Sequence, residues 1–451
     1  MGNIFVKNKG FYRTLVVLAL PVVIQNMITI GVNIMDTVML GSFGEVQLSG
    51  SSLANDFINL FHIFCMGVGG GAAVLSAQFF GREDYHNVKK TVAIMLRFIL
   101  ILALICSLMA IFIPGTIMSI YTKDAEVIEK GIIYLRWSVP TFIMMGISLT
   151  LTLILRSIRD VKVPLYTSFG SFVINVFFNW VFIFGHLGAP RMEIAGAALG
   201  TVIARAFEAI AIGGYFLFKE KVIQFRIKDF FMNTSDLVAT YFKFSVPVIL
   251  SDSLLGFGNT MVSVVIGHIG TSFVAANSII MMIQRLCTVM TQGLGQASSV
   301  LTGNSVGARN TEKAYAEGKT MIALGFILGV IAALIILAVG PFVINSYNIS
   351  EETIHVAYDM LYAVSIMVIF QSLQAILTKG ILRGGGDTKY VMFADAFFLW
   401  VVSIPLGWFT GVTLGLNAFI VYICLKIDWI LKDILCMKRF LSKKWIKIVE
   451  Q

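Results

Sequence analysis

"LPVVIQNMITIGVNIMDTVMLGSFG", residues 20–44, returns later in the chain as "VPVILSDSLLGFGNTMVSVVIGHIG", residues 246–270. At one constant offset Pro21 falls on Pro247, Asn33 on Asn259, Met35 on Met261, Gly41 on Gly267 and Gly44 on Gly270. The same offset carries Gly81 onto Gly307, and an offset one residue longer brings "LRSIRDVK" (155–162) onto "LRGGGDTK" (382–389) with Leu, Arg, Asp and Lys identical in place. Apolar segments match by chance at Leu and Val, whereas these matches fall on polar, proline and glycine positions. The chain is therefore an internal duplication.

Composition sets the solvent of both copies. Of 451 residues 57% are hydrophobic and 13% charged, and the mean hydropathy is +0.86, where soluble domains carry about 25% charged residues. Apolar runs of membrane-spanning length, roughly 18 residues or more, lie near 14–40, 50–80, 91–113, 131–155, 164–185, 194–218, 241–267, 273–302, 316–343, 356–381, 390–410 and 412–435. In lipid every backbone N–H and C=O must be satisfied within the protein, so such runs are helices. The expected fold is an all-α integral membrane protein with twelve transmembrane helices. It has two six-helix bundles related by a pseudo-twofold axis. The expected boundaries are an N-terminal bundle at 1–218, a linker at 219–240, and a C-terminal bundle at 241–451 with a basic tail. The first run is too long for a signal-peptide core and lacks a small-residue cleavage site, so it counts as the first helix.

Six helices per copy is an even number, so both copies enter the membrane in the same direction. A cleft between two such bundles, opened to either side by rocking, is the expected transport path. Most of the 34 Lys and Arg fall in the N-terminal segment, in every second loop and in the tail from Lys426 to Lys447, while the alternate loops hold Lys123, Lys130 and Arg191. By the positive-inside rule both termini are expected in the cytoplasm of a multi-pass cell-membrane protein. The basic charge then faces anionic lipid, and no nucleic-acid partner is implied.

Several chemistries are disfavoured. Cys65, Cys106, Cys287, Cys424 and Cys436 form no CxxC pair and read as packing residues. "GVGGGAAV" (67–74) sits inside an apolar helix with no strand before it, and "EGKT" (317–320) has Lys313 where a P-loop needs glycine. No polar stretch is long enough for an ATPase domain, so no ATPase partner or bound cofactor is expected and the energy source is an ion gradient. No nucleophile, base and orienting group stand together, so the chain is not read as an enzyme.

The proline of the first helix followed by "NIMDTVMLG" (33–41), the "GR" at 81–82, the "LRSIRD" and "LRGGGDTK" loops and "GAALGT" (196–201) occur in the order and spacing of one transporter family. Over essentially its whole length the chain resembles the multidrug and toxic compound extrusion (MATE) family. The resemblance implies a V-shaped pair of bundles that exports organic, often cationic, small molecules in exchange for Na⁺ or H⁺, as a monomer in a bacterial membrane. A lipid-linked saccharide flippase of related two-bundle design is the alternative; it calls for more intramembrane basic residues than Arg97, Arg136, Arg205 and Arg285 supply.

Asp36 is the acid that stands out. A carboxylate in mid-helix costs roughly 2.5–3.5 kcal/mol on insertion scales, so it is a functional candidate, set against the plainer reading that it reaches outer-face water. Asn175 and Asn179 share a helix face, and Ala197 and Thr201 occupy the first turns of the next helix, all at depths like that of Asp36. The resemblance implies that Asp36, Asn175, Asn179, the Ala197 carbonyl and Thr201 hold the coupling cation. Some members have an acid at the position of Asn179, which leaves Asp36 as the single carboxylate here. Na⁺ and H⁺ both remain open as its ligand.

The second half departs from a branch of the family that carries acids in helices seven and ten. Here those positions offer Asp252 and Gln371. Asp395 lies five residues before Trp400, as Asn175 does before Trp180, and reads as a second cation or substrate contact or, equally, as an inner carboxylate paired with a basic neighbour such as Lys389. Gln25 and Gln284 are polar residues in apolar helices and candidates to line the cleft. Arg205 and Glu208, at i and i+3, are spaced to pair with each other.

Overall fold

The computed structural model describes residues 5–42, 44–347 and 349–449. Its helices are α1 Lys9–Gly41, α2 Glu45–Gly81, α3 Tyr85–Phe112, α4 Pro114–Tyr121, α5 Ala125–Trp137, α6 Val139–Ser157, α7 Lys162–Phe184 and α8 Ile194–Gly214, then α9 Ser235–Ile269, α10 Thr271–Gly307, α11 Thr311–Ser346, α12 Glu351–Gln374, α13 Thr388–Phe397, α14 Ile404–Trp408, α15 Ala418–Leu425 and α16 Ile427–Leu441. Among the described residues there is no strand.

The duplication is visible element by element. α2 and α10 are both 37 residues long and begin and end at offset-equivalent residues. Each is followed by a left-handed residue, Glu83 (φ 63°) and Arg309 (φ 58°). Each next helix is then capped by a short polar side chain: Asp84 accepts from the Asn87 N–H at 3.2 Å, and Asn310 from the Lys313 N–H at 3.1 Å. Such caps satisfy donors that a helix start leaves open. Prolines inside α1 and α9, Pro21 and Pro247, are likewise equivalent.

Eleven helices are long and apolar enough to cross a bilayer among the described residues. The twelfth apolar run, expected at 412–435, is instead divided between two short helices, α15 and α16, which meet at Lys426 and are not among these eleven. The start of α15 is set by a left-handed Gly415 (φ 59°) and by Asn417, whose side chain accepts from the Ile420 N–H at 3.1 Å. The fourth apolar run, expected at 131–155, divides at Ser138 just before Pro140, and the crossing proper is α6. Proline has no N–H and fits only the first turn of a helix, so a helix restarts there.

By contacts the chain forms two compact units. One comprises 24–76 and 84–245; the other comprises 1–23, 77–83 and 246–451. Their boundaries run through α1, α2 and α9. In the unit of 24–76 and 84–245, glycines let helices touch: a Cβ on Gly71 would meet Ser245, and one on Gly69 would meet Leu153 and Thr150. This explains the glycine run at 67–71 as close packing. The segment after α8 lies on α3. The Arg97 guanidinium donates to the carbonyls of Phe230 and Met232, the latter at 2.7 Å, and Lys89 pairs with Asp229 at 3.1 Å. Burial pushes the Asp229 carboxyl up, but the Arg226 N–H, Lys89 and Lys228 outweigh it and hold it below the ordinary carboxylate range.

In the other unit the end of α2 crosses α10 at repeat-related residues. A Cβ on Gly81 would strike the Asn304 backbone, one on Gly307 the Gln78 backbone, and one on Gly303 would lie 2.7 Å from the Ala77 Cβ. Asn304 donates to the Ala77 carbonyl at 2.9 Å. Equivalent residues thus face each other across a local twofold, which is why glycine recurs at 81 and 307.

Candidate functional site

Asp36 lies in the last turns of α1, five residues before Gly41. α7 presents Asn175 and Asn179 one turn apart, and α8 presents Ala197, Gly200 and Thr201 in its first two turns. Asn179 Nδ2 donates to Asp36 Oδ1 at 2.6 Å and to Asn175 Oδ1 at 3.3 Å, and Asn175 Nδ2 donates to Thr201 Oγ1 at 3.4 Å. Asp36 is half-buried, whereas Asn175 and Asn179 are 2% and 0% exposed. A chain of hydrogen bonds therefore runs from the carboxylate to the α8 hydroxyl. Ala197 is buried one turn before Thr201 and bonds through its N–H to the Glu193 carbonyl at 3.2 Å.

One atom in this set stands open. Asn179 Oδ1 is buried without a hydrogen-bond partner. Gly200 makes its position possible, because a Cβ there would collide with that oxygen. A buried acceptor that nothing satisfies is costly. Here it belongs to a set with the Asp36 carboxylate, Asn175 Oδ1 and Thr201 Oγ1, oxygens of the kind a hard cation takes.

The surroundings add groups that the sequence did not flag. Tyr134 on α5 and Asn55 on α2 share hydrogen bonds, with Asn55 Nδ2 donating to the Tyr134 hydroxyl at 3.2 Å, and the Tyr134 hydroxyl is also in hydrogen-bond reach of Thr201. Asn55, a polar residue in an apolar span, carried the available signal; Tyr134 carried none. One turn beyond Thr201, Arg205 lies within electrostatic range of Asp36 and is paired to Glu208 at 2.8 Å. Gln25, lower on α1, accepts from Arg156 of α6 and does not join the Asp36 set.

The remaining candidates gather in two other places. Gln284 of α10 donates to Gln371 of α12 at 2.7 Å and accepts from the Tyr422 hydroxyl at 3.2 Å. Asp252 of α9 is gripped by both terminal nitrogens of Arg383 at 3.1 and 2.9 Å. Asp395 of α13 accepts from Ser251 at 2.6 Å and lies 3.4 Å from Lys432. Lys432, on α16, is the basic neighbour that meets Asp395. Among the described residues no three His, Cys, Asp or Glu side chains converge in the manner of a metal-ion cage.

Comparison with known proteins agrees with the duplication. The sequence model of the MatE family matches residues 21–181 and again 247–409, beginning each time at the repeated proline. The chain belongs to the MATE family. It is 26% identical over 443 residues to the probable multidrug resistance protein NorM of Photorhabdus laumondii, covering 92% of this chain and 95% of that one. It is 23% identical to the uncharacterized transporter YisQ of Bacillus subtilis, covering 91% and 90%. Among solved structures, a MATE crystallised with MaL6 superposes with a TM-score of 0.87 at 18% identity, covering 97% of this chain and all of that one. A transporter from Pyrococcus furiosus, reported to have a binding pocket of reversed polarity, gives 0.86 at 18% identity, covering 98% and 100%. The chain is thus a multi-pass membrane transporter with the MATE fold. Asp36, Asn175 and Asn179 lie in the first matched stretch of this MATE chain, while Thr201 and the whole of α16 lie outside both.

Proposed function

We propose that this MATE transporter is a secondary active antiporter. It exports organic, often cationic, compounds by alternating access in exchange for Na⁺ or H⁺, with Asp36 as the coupling carboxylate and both termini in the cytoplasm. The observation that supports this reading is the unpartnered Asn179 Oδ1 beside Asp36, within a set whose other members are already linked by hydrogen bonds.

The physical logic is charge compensation. An ionised carboxylate within the bilayer is costly, and one bound cation or proton neutralises it. A carrier of this kind changes its access readily when Asp36 is occupied or when substrate is bound, and slowly when both are absent. Each outward crossing with substrate is then followed by a return crossing with the ion, so the ion gradient drives export. A tenfold ion gradient supplies about 1.4 kcal/mol. The membrane potential adds about 2.3 kcal/mol per charge per 100 mV. A singly charged substrate exchanged for one monovalent ion moves no net charge, so only the first term drives it.

The experiment is accumulation of a fluorescent organic cation in everted membrane vesicles, with Na⁺ and pH gradients imposed separately. Accumulation under one gradient and not the other identifies the ion. Equal accumulation without any gradient excludes antiport.

A further inference from the structure

The second half of the chain buries a set of charges that the coupling role of Asp36 does not use. Lys432 Nζ lies between two carboxylates, 3.4 Å from Asp395 and 2.8 Å from Asp428. Asp395 is held on its other oxygen by Ser251 at 2.6 Å, and Asp428 by Ser403 at 3.1 Å. Ser251 also accepts from Arg383 at 3.4 Å, and Arg383 holds Asp252. Asp395, Lys432 and Asp428 are 1%, 0% and 2% exposed.

A fourth acid follows Lys432 directly. Asp433 is 7% exposed, and neither of its carboxylate oxygens has a hydrogen-bond partner. The groups around it are already committed. On α16 itself Lys432 is shared by Asp395 and Asp428, and Cys436 is buried. α16 packs on α12, on the wide turn 375–382, on α13, on 398–403 and on α15. Of the charged or titratable groups these bring, Arg383 serves Asp252, Asp387 pairs with Arg439 at 2.7 Å, and Tyr390 donates to the Leu435 carbonyl. Lys426 lies over the Trp429 ring and within electrostatic range of Asp428, and Lys379, though exposed, is within electrostatic range of Asp252. Arg383 and Lys432 are thus taken up by Asp252, Asp395 and Asp428, and of these four acids Asp433 is the one with neither an ion pair nor a hydrogen bond among the described residues. A buried charge left without a partner is removed by neutralisation.

We propose that this cluster is a second ion-binding site, separate from Asp36, and that the ion it takes is a proton on Asp433. A metal cation fits less well on two grounds. It needs several oxygen ligands, and the position between Asp395 and Asp428 that would offer them is filled by the Lys432 ammonium. A proton needs only the one open carboxylate. Asp395 and Asp428 then remain ionised against Lys432, and Asp433 adds no unpaired charge to them.

The test is infrared difference titration of the purified full-length protein in nanodiscs, without substrate or gradient, so that its outcome stands apart from that of the transport assay. The expected result is the carbonyl stretch of a protonated carboxyl with no hydrogen bond, present at neutral pH and lost in Asp433→Asn. It persists in Asp36→Asn. Lys432→Gln, which removes the cation between Asp395 and Asp428, is expected to add a second protonated-carboxyl band, and Asp433→Asn is expected to bind one proton fewer in a direct pH titration. A carboxyl spectrum that Asp433→Asn leaves unchanged overturns the proposal. So does a band that sodium abolishes at constant pH, since the ligand is then the metal cation.

Discussion

Asn179 gives both protons of its amide to oxygens, Asp36 Oδ1 at 2.6 Å and Asn175 Oδ1 at 3.3 Å, while its own oxygen stays buried and unpaired. The side chain thus holds the Asp36 carboxylate and places an unpaired acceptor in the same hydrogen-bonded set.

Asp36→Asn is expected to abolish gradient-driven export while leaving the protein folded. The amide is nearly isosteric and removes an intramembrane charge that costs roughly 2.5–3.5 kcal/mol on insertion scales, so thermal stability in detergent should hold or rise. The repeat-equivalent residue is the buried Val262, which shows that the scaffold accepts an uncharged residue at this place. Full export by the variant, measured in the vesicle assay, would remove Asp36 from the mechanism.

Asn179→Ala separates the two candidate ions. The lost hydrogen bond to an ionised acceptor is worth about 1.5–3 kcal/mol, roughly a tenfold to hundredfold effect. A proton needs no ligand but Asp36, and the bond from Asn179 favours the ionised form, so under proton coupling the pH profile of export moves upward. Sodium needs oxygen ligands, so under sodium coupling the Na⁺ concentration for half-maximal export rises. A profile unchanged in both respects would place Asn179 outside the coupling site.

The duplication and the membrane spans were legible because they rest on patterns that lipid and close packing enforce. Pro21 and Pro247 sit inside equivalent helices, and Gly81 and Gly307 stand where no Cβ fits. Hydropathy does not register a break within a continuous apolar run, which is why the interruption at Ser138 and the split at Lys426 were not foreseen. Asp36, Asn175, Asn179 and Thr201 could be grouped by depth and helix face. Lys432 could not be matched to Asp395, because a contact across 37 residues between α13 and α16 leaves no periodic trace. Tyr134 escaped for a related reason. An aromatic residue in an apolar segment reads as packing until its hydroxyl is seen on Asn55.

The linker supplies a prediction at acid pH. Asp229 is held below the ordinary carboxylate range mainly by the Arg226 N–H and Lys89, against burial. A carboxylate whose value is lower folded than unfolded stabilises above the unfolded value, about 3.9, and that support is lost as pH falls through the folded value. Pepsin, active in that range, should therefore cut the 219–234 segment faster as the medium is acidified, and Asp229→Asn should show the faster cutting already at the mild end of the range. Identical digestion of the two proteins would mean that the Lys89 pair does not hold the segment.

Gly200→Ala tests the geometry of the proposed coupling set without removing any of its polar atoms. The added methyl would run into Asn179 Oδ1 and stand 3.0 Å from the Asn179 backbone nitrogen. α7 and α8 must then separate or the Asn179 amide must turn, and overpacking of this kind costs typically 1–3 kcal/mol. Gly213 lies on the same helix with open space around it, so Gly213→Ala should be neutral or slightly stabilising, as alanine is favoured over glycine in a helix by up to about 1 kcal/mol. Export by Gly200→Ala is expected to fall at least tenfold, with the shift in ion dependence that Asn179→Ala shows, while Gly213→Ala exports normally. Equal export by the two glycine variants would mean that the Asn179 oxygen has no required position, and the cation site built around it would have to be abandoned.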